Sequence, residues 1–357
     1  MKRRLLITGA GTTAASNLIR SLRADVRSAA IIGCHSDRFV LKKSEAERNY
    51  LMPGLDHPEF FRALSRVIKK ERIELLIPTA DTDVRALARR RARIQCRLFL
   101  PRTPVIELCQ DKYRLNIFLR KRRVPAPLTY PVTSLTAITK IFARLPARRL
   151  VWCRARAGSG ALGALPVRSP AQARSWIEYW RDMRQIPPTA FTLSEYLPGR
   201  DFSCLSLWNR GTLVLLKTCQ RLSYYTGGGN PSGISSVSHL AKTVDEPRVA
   251  RVCVEAVRAI DRSASGTFNL DMRENGDGVP CVTEINAGRF PSGNLIHALT
   301  GKRNISTAFV RVALGERVGF HDEYDADEGW YTVRDLDTPM GVFHVDDLFD
   351  KIEDARG

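Results

Sequence analysis

Apolar runs that suit buried strands alternate with helical patterns over the first hundred residues. The apolar run at 4–8 is followed by a glycine turn, Gly9-Ala-Gly11, and by apolar positions at helical spacing over 16–22. This order predicts a strand, a turn and a helix. Two further strands are predicted at 29–33 and 73–77, with a helix at 58–70 before the second. Such alternation predicts a parallel sheet with right-handed crossovers.

The alternation stops between Pro101 and Pro104, and the pattern that follows is mixed. It predicts a helix at 107–123, then strands at 150–154, 190–195 and 202–220, a glycine-rich loop at 227–233, helices at 170–183 and 246–260, and a hairpin over 267–286. We therefore predict an α/β fold of mixed, α+β character. Its predicted units are residues 1–105, 106–187 and 188–318, followed by an acidic extension at 319–357.

The hairpin carries the strongest chemical signal. The Asp-Gly pair at 277–278 lies between two strand-like runs and predicts a two-residue type I′ turn. A turn centred there places Asp271 opposite Glu284, and Asn286 falls on the same face because side chains alternate along a strand. Three oxygen ligands on one patch suit Mg²⁺ that also holds phosphate oxygens. The alternative is a surface hairpin whose acids face solvent.

Two further segments suit a nucleotide. Arg154 closes a strand before the glycine loop at 157–163, and such a loop can surround phosphates with backbone N–H groups. The segment from Glu195 to Asp201 ends a strand and turns through a Pro-Gly pair, where backbone groups could bind an adenine edge and a carboxylate could bind a ribose. Alone, the first is also compatible with a flexible structural loop and the second with an ordinary turn.

Together and in this order, these segments resemble the ATP-grasp superfamily, specifically carboxylate-amine ligases similar to the halves of the carbamoyl-phosphate synthase large subunit. The resemblance spans roughly residues 1–315 and implies a Rossmann-like N-terminal domain followed by a two-lobed ATP-grasp fold. It implies phosphate contacts by Lys112 and Arg154, a mobile phosphate-covering loop with Gly158, Ser159, Gly160 and Gly163, an adenine and ribose hinge at Glu195, Leu197 and Asp201, metal ligands at Asp271, Glu284 and Asn286, and phosphate-steadying arginines at Arg221 and Arg289.

The chain departs from the family's pattern at two positions. Arg154 stands where the family usually has a lysine, which keeps the charge but changes its geometry. The family's Glu-x-Asn-Pro-Arg becomes Glu284-Ile-Asn-Ala-Gly-Arg289, with one extra residue before the arginine. The extra residue leaves the three predicted metal ligands in place.

The resemblance implies an ADP-forming ligase that activates a carboxylate as an acyl phosphate and joins it to an amine. ATP and Mg²⁺, with Mn²⁺ as an alternative ion, are the implied cofactors, and a small-molecule carboxylate and amine are the implied partners. Homodimers are common in that family. Alternatives are a carbamoyl-phosphate-type enzyme that activates bicarbonate, and a non-catalytic ATP-binding relative. A nicotinamide enzyme is less favoured, because Gly9-Ala-Gly11 lacks the third glycine of the dinucleotide fingerprint.

Composition adds a charge question. The net charge of +19 raises the alternative of a nucleic-acid partner. The basic clusters at 89–93, 120–123 and 148–149 lack a recognisable nucleic-acid module and interleaved aromatic residues, so we interpret them as solvated helix faces. From His321 onward the chain has 12 acidic and 3 basic residues, an asymmetry that predicts attraction of anionic substrates or contact between tail and body.

Cysteine usage and hydropathy bear on the compartment. The eight cysteines are scattered without a CxxC pair, which favours a reducing cytosol over a disulfide framework or a metal cage. No run of 18 apolar residues occurs, so a membrane span is not expected. We therefore expect a cytoplasmic enzyme.

Overall fold

The computed structural model of the chain describes residues 3–25, 29–146, 150–225, 231–334 and 351–356. The basic pair Arg148–Arg149, residues 227–230 of the glycine-rich loop, and residues 335–350 and 357 of the acidic extension lie outside these residues. The described strands are β1 (Arg3–Thr8), β2 (Ala29–His35), β3 (Arg48–Leu51), β4 (Leu75–Ile77), β5 (Thr129–Pro131), β6 (Val151–Ala155), β7 (Leu165–Val167), β8 (Phe191–Glu195), β9 (Asp201–Asn209), β10 (Thr212–Tyr224), β11 (Ser238–Thr243), β12 (Gly266–Glu274), β13 (Pro280–Ala287), β14 (Glu323–Tyr324), β15 (Tyr331–Val333) and β16 (Ile352–Asp354).

Eleven α-helices occur in the described ranges: α1 (Thr13–Arg23), α2 (Arg38–Leu41), α3 (Phe60–Glu71), α4 (Asp81–Arg89), α5 (Thr103–Cys109), α6 (Lys112–Lys121), α7 (Ala137–Arg144), α8 (Pro170–Arg184), α9 (Pro247–Ile260), α10 (Asn294–Ala298) and α11 (Ile305–Ala313). Side-chain caps fix several of their starts. Asp37, Asp111, Ser169 and Asn304 each accept a backbone N–H of the following helix, which satisfies donors that have no partner inside the helix.

A parallel sheet forms in the first hundred residues, as predicted. Its strand order is β16-β3-β2-β1-β4, and every neighbouring pair runs parallel. Apolar side chains fill both of its faces, as a parallel sheet covered by helices requires. Two of its strands, β3 and the outer strand β16, were not predicted, and β16 comes from residues 352–354 at the other end of the chain.

A four-stranded antiparallel sheet, in the order β5-β8-β6-β7, packs against α7 and α8. The predicted boundary at 187/188 assigned the strand at 190–195 to the C-terminal lobe. In the structure, β8 forms backbone hydrogen bonds with β5 and β6, so it belongs to this smaller sheet. The chain therefore passes to the next sheet between Glu195 and Asp201.

The largest sheet has seven strands in the order β13-β12-β9-β10-β11-β15, with β14 alongside β10. One face packs on α9 and α6, and the other shares a core with α1, α11 and the parallel sheet. The described parts of the extension predicted from 319 onward thus contribute β14 and β15 to this sheet and β16 to the parallel sheet. A buried ion pair, Lys217–Asp325 at 2.8 Å, holds the residue after β14 against β10.

Candidate active site

The three sheets surround one cavity of about 1040 Å³. It is lined by the carboxyl ends of the parallel strands, by the loop after β6 and by one face of the seven-stranded sheet. The structure brings most of the predicted site residues to its walls: Lys112, Arg154, Gly158, Ser159, Gly160, Asp201, Arg221, Asp271, Glu284, Asn286 and Arg289.

The hairpin pairs Asp271 with Glu284 as predicted, although its turn differs. Asn275 N–H donates to Val279 O at 3.0 Å, so three residues form the loop between them, and the predicted two-residue turn is wrong. Such a loop shifts the register by one residue. Thr283 is an extra, bulged residue in β13 that shifts the register back. The predicted pairing is therefore correct because two deviations cancel.

The oxygen donors of the hairpin face the cavity together. Asp271, Glu284 and Asn286 line it, as does Asn269, whose strand position pairs with Asn286. Each predicted ligand is held by basic side chains: Arg221 donates to Asp271, Lys112 Nζ and Arg154 Nη1 lie 3.3 and 3.8 Å from Glu284 Oε2, and Arg289 Nη2 donates to Asn286 Oδ1 at 2.5 Å. Carboxylate and amide oxygens are the donors that Mg²⁺ prefers, and these oxygens already attract cations. The residues present therefore fit a divalent cation.

Arg221 of β10 contacts one acid on each of the next two strands of the sheet, β9 and β12. It ion-pairs with Asp271 of β12 and, at 3.1 Å, with Asp201 of β9. Tyr224 donates its hydroxyl to Asp201 at 2.7 Å. Burial disfavours the guanidinium charge, but the two carboxylates more than offset it, so the pKa of Arg221 is raised. Asp201, predicted to bind a ribose, thus serves in the structure as a partner of Arg221.

Lys112 and Arg154 connect the glycine loop to the hairpin. Lys112 Nζ donates to Gly158 O at 2.7 Å, and Arg154 Nη2 donates to Thr283 O, the carbonyl of the bulge, at 2.7 Å. Burial lowers the pKa of Arg154, against the attraction of Glu284 and Asp271. Its buried Nε has no hydrogen-bond partner in the described part of the chain. This arginine therefore has capacity for an anionic ligand.

Arg289 reaches the cavity despite the extra residue before it. Its Nε lies 2.5 Å from Asp81 Oδ1, at the first turn of α4, while its Nη2 contacts Asn286. Gly288 makes this turn with φ +90°, and a Cβ there would approach Leu100 and Val84 at 3.1 Å. The extra glycine thus redirects the chain and lets Arg289 join the hairpin to the parallel sheet.

Three predicted nucleotide residues do not line this cavity. Gly163 packs against Phe191, whose ring atom Cε1 would be 2.6 Å from a Cβ at that position, so this glycine is required for packing. Glu195 exchanges backbone and side-chain hydrogen bonds with Leu128 and faces a separate hollow of about 280 Å³. Leu197 is buried.

Several lining residues were not predicted. Tyr196, between the two hinge residues, lines the cavity near Trp152, with ring centroids 6.4 Å apart. At the other end, Thr8, Asp83 and Phe60 follow or flank strands of the parallel sheet. The carboxyl ends of parallel strands meet at one edge, so the strand predictions could have identified this group.

The glycine turn after β1 is explained by packing. A Cβ at Gly11 would lie 1.9 Å from Val40 O, and one at Gly9 would lie 2.5 Å from Thr79 Oγ1. Both glycines also have positive φ. Close approach to α2 and to the end of β4 therefore accounts for both glycines without a dinucleotide.

No protein-family model matches the chain, and no curated protein matches it in sequence. Solved structures do match. An L-amino acid ligase from Bacillus licheniformis is 12% identical, with a TM-score of 0.66 over 88% of this chain and 74% of that chain. The biotin carboxylase domain of a 2-oxoglutarate carboxylase from Hydrogenobacter thermophilus, solved with MgADP, ADP and bicarbonate, is 16% identical, with a TM-score of 0.70 over 93% and 73% of the two chains.

A carboxyaminoimidazole ribonucleotide synthase from Aspergillus clavatus, solved with ATP, is 14% identical, with a TM-score of 0.66 over 91% of this chain and 80% of that chain. These proteins are ATP-grasp enzymes, and the chain is similar to them in fold. It therefore has an ATP-grasp fold of mixed parallel and antiparallel sheets. Among the helices that the structure describes, none has the length and apolarity needed to cross a membrane.

Proposed function

We propose that this chain is an ATP-dependent ligase that activates a carboxylate as an acyl phosphate, releases ADP and joins the acyl group to an amine, forming an amide or peptide bond. One observation carries the proposal. Three oxygen donors, Asp271, Glu284 and Asn286, share a cavity wall with four basic side chains that hold them. This arrangement suits a triphosphate with a divalent cation. The cation could replace the basic side chains as the partner of the three oxygen donors, and the phosphates could replace the oxygen donors as the partners of the basic side chains.

The chain's own residues would hold the phosphates. Lys112 and Arg154 lie beside the glycine loop, and Arg221 and Arg289 contact the hairpin. Four positive charges would therefore surround the phosphate oxygens. Mg²⁺, or Mn²⁺ as an alternative, held by Asp271, Glu284 and Asn286, would neutralise the charge that develops on the transferred phosphoryl group. Trp152 and Tyr196 line the same cavity and would offer aromatic surface to the adenine ring of ATP.

Two displacements complete the proposed reaction. A carboxylate oxygen attacks the γ-phosphorus of ATP, a P–O bond forms, the bond from that phosphorus to the β,γ-bridging oxygen breaks, and ADP leaves. The amine nitrogen then attacks the acyl carbon. A C–N bond forms, the C–O bond to phosphate breaks, inorganic phosphate leaves with the electron pair, and the surplus proton of the nitrogen passes to a base or to solvent. Positioning and electrostatics supply the rate in such transfers.

The domain assignment and the compartment belong to the same proposal. We assign residues 1–105 to a Rossmann-like N-terminal domain and the remainder up to 318 to two ATP-grasp lobes, with β8 moved to the first lobe. The parallel pairing of the four strands β1, β2, β3 and β4 supports the assignment of the N-terminal domain. All eight cysteines are free thiols, and this supports a reducing cytoplasm.

ADP and phosphate release from Mg-ATP, measured with a panel of carboxylates and amines, tests the ligase. Asp271→Asn and Glu284→Gln should each reduce ADP release roughly 100-fold or more, because a metal ion supplies several kcal/mol of transition-state stabilisation. Asp277→Asn is the matched control, since Asp277 is an exposed acid in the turn of the same hairpin. Wild-type turnover in the double variant Asp271→Asn/Glu284→Gln would contradict the proposal.

A further inference from the structure

The acids that line the cavity differ in their partners. Asp81, Asp201, Asp271 and Glu284 each have a lysine or arginine nitrogen within 4.0 Å. Asp83, the fifth lining acid, has none among the described residues. The chain has 56 lysine and arginine residues and only 37 acids, so an acid in this cavity has ample opportunity to be paired. Asp83 is therefore the cavity's unmatched negative group.

Asp83 is held in place without being neutralised. Thr8 Oγ1 donates to Asp83 Oδ2 at 2.6 Å, which fixes the carboxyl at the end of β1. Burial raises the pKa of the Asp83 carboxyl, and its contacts with Thr8, His35 and Thr82 offset only part of that rise. A cation in the cavity would complete this site, because opposite charge stabilises a partly buried carboxylate.

The surroundings of Asp83 define the shape of such a ligand. Along the carboxyl edge of the parallel sheet, Asp83 follows β4, Thr8 ends β1 and His35 ends β2. Beyond them, Met52 and Phe60 follow β3 and line the same cavity with apolar surface. Three strand spacings of about 4.8 Å separate the two ends of this strip, which makes it roughly 14 Å long.

We infer that this strip binds the amine substrate, with its ammonium nitrogen on Asp83 and a large apolar group against Met52 and Phe60. The inference rests on the proposed function and specifies its acceptor. Asp83 lies two residues from Asp81, which Arg289 connects to the hairpin. The nitrogen would thus bind on the same helical turn that contacts the phosphate end of the cavity. The cavity would thus offer basic residues to the phosphates at one end and an acid to the amine at the other.

Thermal shift with 2-phenylethylamine, isopentylamine and ethanolamine, in the absence of ATP, tests binding directly. The two apolar amines should raise the melting temperature of the wild type more than ethanolamine does, and Asp83→Asn should abolish that increase. The asparagine keeps an oxygen that accepts from Thr8, so the fold is preserved. Asp56→Asn is the control, because Asp56 is an exposed acid that does not line the cavity. Equal shifts in wild type and Asp83→Asn, or no preference for apolar amines, would overturn the inference.

A hydroxylamine trap separates this inference from the ligase proposal. Hydroxylamine converts an acyl phosphate to a hydroxamate and does not need the amine site. The wild type should form hydroxamate when hydroxylamine replaces the amine, and Asp83→Asn should raise the KM of the apolar amine roughly 10- to 100-fold more than it raises the KM of the carboxylate, the size expected for a lost charge-assisted hydrogen bond. No hydroxamate from the wild type with any carboxylate would refute the ligase, whereas normal hydroxamate with an unchanged amine KM in the variant would refute the amine site alone.

Discussion

His297 is a buried histidine that does not line the cavity and has two cations, Lys217 and Arg221, nearby. The side chain is buried, with Nε2 at 3.5 Å from Ser203 Oγ and 3.6 Å from Cys219 Sγ, and Nδ1 has no hydrogen-bond partner in the described residues. Burial, together with the charges of Lys217 and Arg221, lowers the pKa of His297 to about 3. The imidazole is therefore neutral in the folded protein across the physiological range.

This neutrality predicts a pH dependence of stability. An unfolded histidine binds a proton below about pH 6.5 and the folded one does so only near pH 3, so the free energy of unfolding should decrease as the pH falls between these values. His297→Leu should make that decrease shallower, by up to about 1.4 kcal/mol per pH unit. Denaturant unfolding at pH 7.5, 6 and 5 measures the slope.

The control for this slope is His321→Leu, because His321 is exposed. Its slope should match that of the wild type. If His297→Leu also retains the wild-type slope, His297 does not remain neutral in the folded protein. The absolute stability of His297→Leu decides nothing here, since a buried substitution also changes packing.

Single residues were predictable where chemistry and position coincide in one motif. Asp271, Glu284 and Asn286 belong to one hairpin. Side-chain alternation places Glu284 and Asn286 on one face, and Asp271 falls opposite Glu284 because the longer turn and the bulge at Thr283 cancel. Tyr196 was missed because its position in the cavity depends on how separate sheets approach each other. No local pattern records that approach.

At the scale of the element, two glycines of the loop after β6 share a positive φ but differ in the free space around them. Gly160 and Gly163 both have positive φ, +71° and +63°. A Cβ at Gly160 meets nothing within 4 Å, whereas one at Gly163 would lie 2.6 Å from the fully buried Phe191 ring. The family resemblance assigned both glycines to phosphates, yet only Gly160 lines the cavity.

Alanine substitutions should distinguish the two glycines. Both variants incur the cost of a positive φ, about 1–2 kcal/mol, so Gly160→Ala is the matched control. Gly163→Ala should lose roughly 1–3 kcal/mol more in the free energy of unfolding, because the methyl group overpacks the Phe191 ring. Chemical denaturation of both variants measures the difference. Equal losses would mean that Phe191 moves aside at no cost.

Elements were predicted best where the pattern is long and regular. The three parallel strands and two helices predicted in the first hundred residues were confirmed, since buried apolar runs alternate there with helical spacing. The hairpin turn was wrong because an Asp-Gly pair also suits the three-residue loop that forms, with Gly278 at φ +72°. The placement of β8 depends on hydrogen bonds to β5 and β6, which sequence spacing does not report.

Over the whole molecule, the opposite charges of tail and body meet. The asymmetry predicted either attraction of anions or contact between the acidic tail and the basic body, and the structure shows the second. Glu353 of β16 pairs with Lys70 and lies 3.8 Å from Arg48, while Asp325 pairs with Lys217 inside the protein. The two described parts of the tail thus attach to different sheets, and β16 covers the edge of β3.

A substitution at Ile352 tests how much the attachment of β16 to β3 contributes to the free energy of unfolding. Its side chain packs with Ala10, Leu41 and Leu51, and Ala10 belongs to the glycine turn at the amine end of the cavity. Ile352→Ala should lower the free energy of unfolding by about 2 kcal/mol. The substitution removes three methyl or methylene groups from a buried cluster and leaves a cavity in their place. Glu353→Gln on the same strand should cost less than about 1 kcal/mol, since its ion pairs are exposed. Denaturant unfolding of the two variants compares packing with charge. A larger loss from Glu353→Gln than from Ile352→Ala would show that charge, and not the apolar contact, attaches β16 to the sheet.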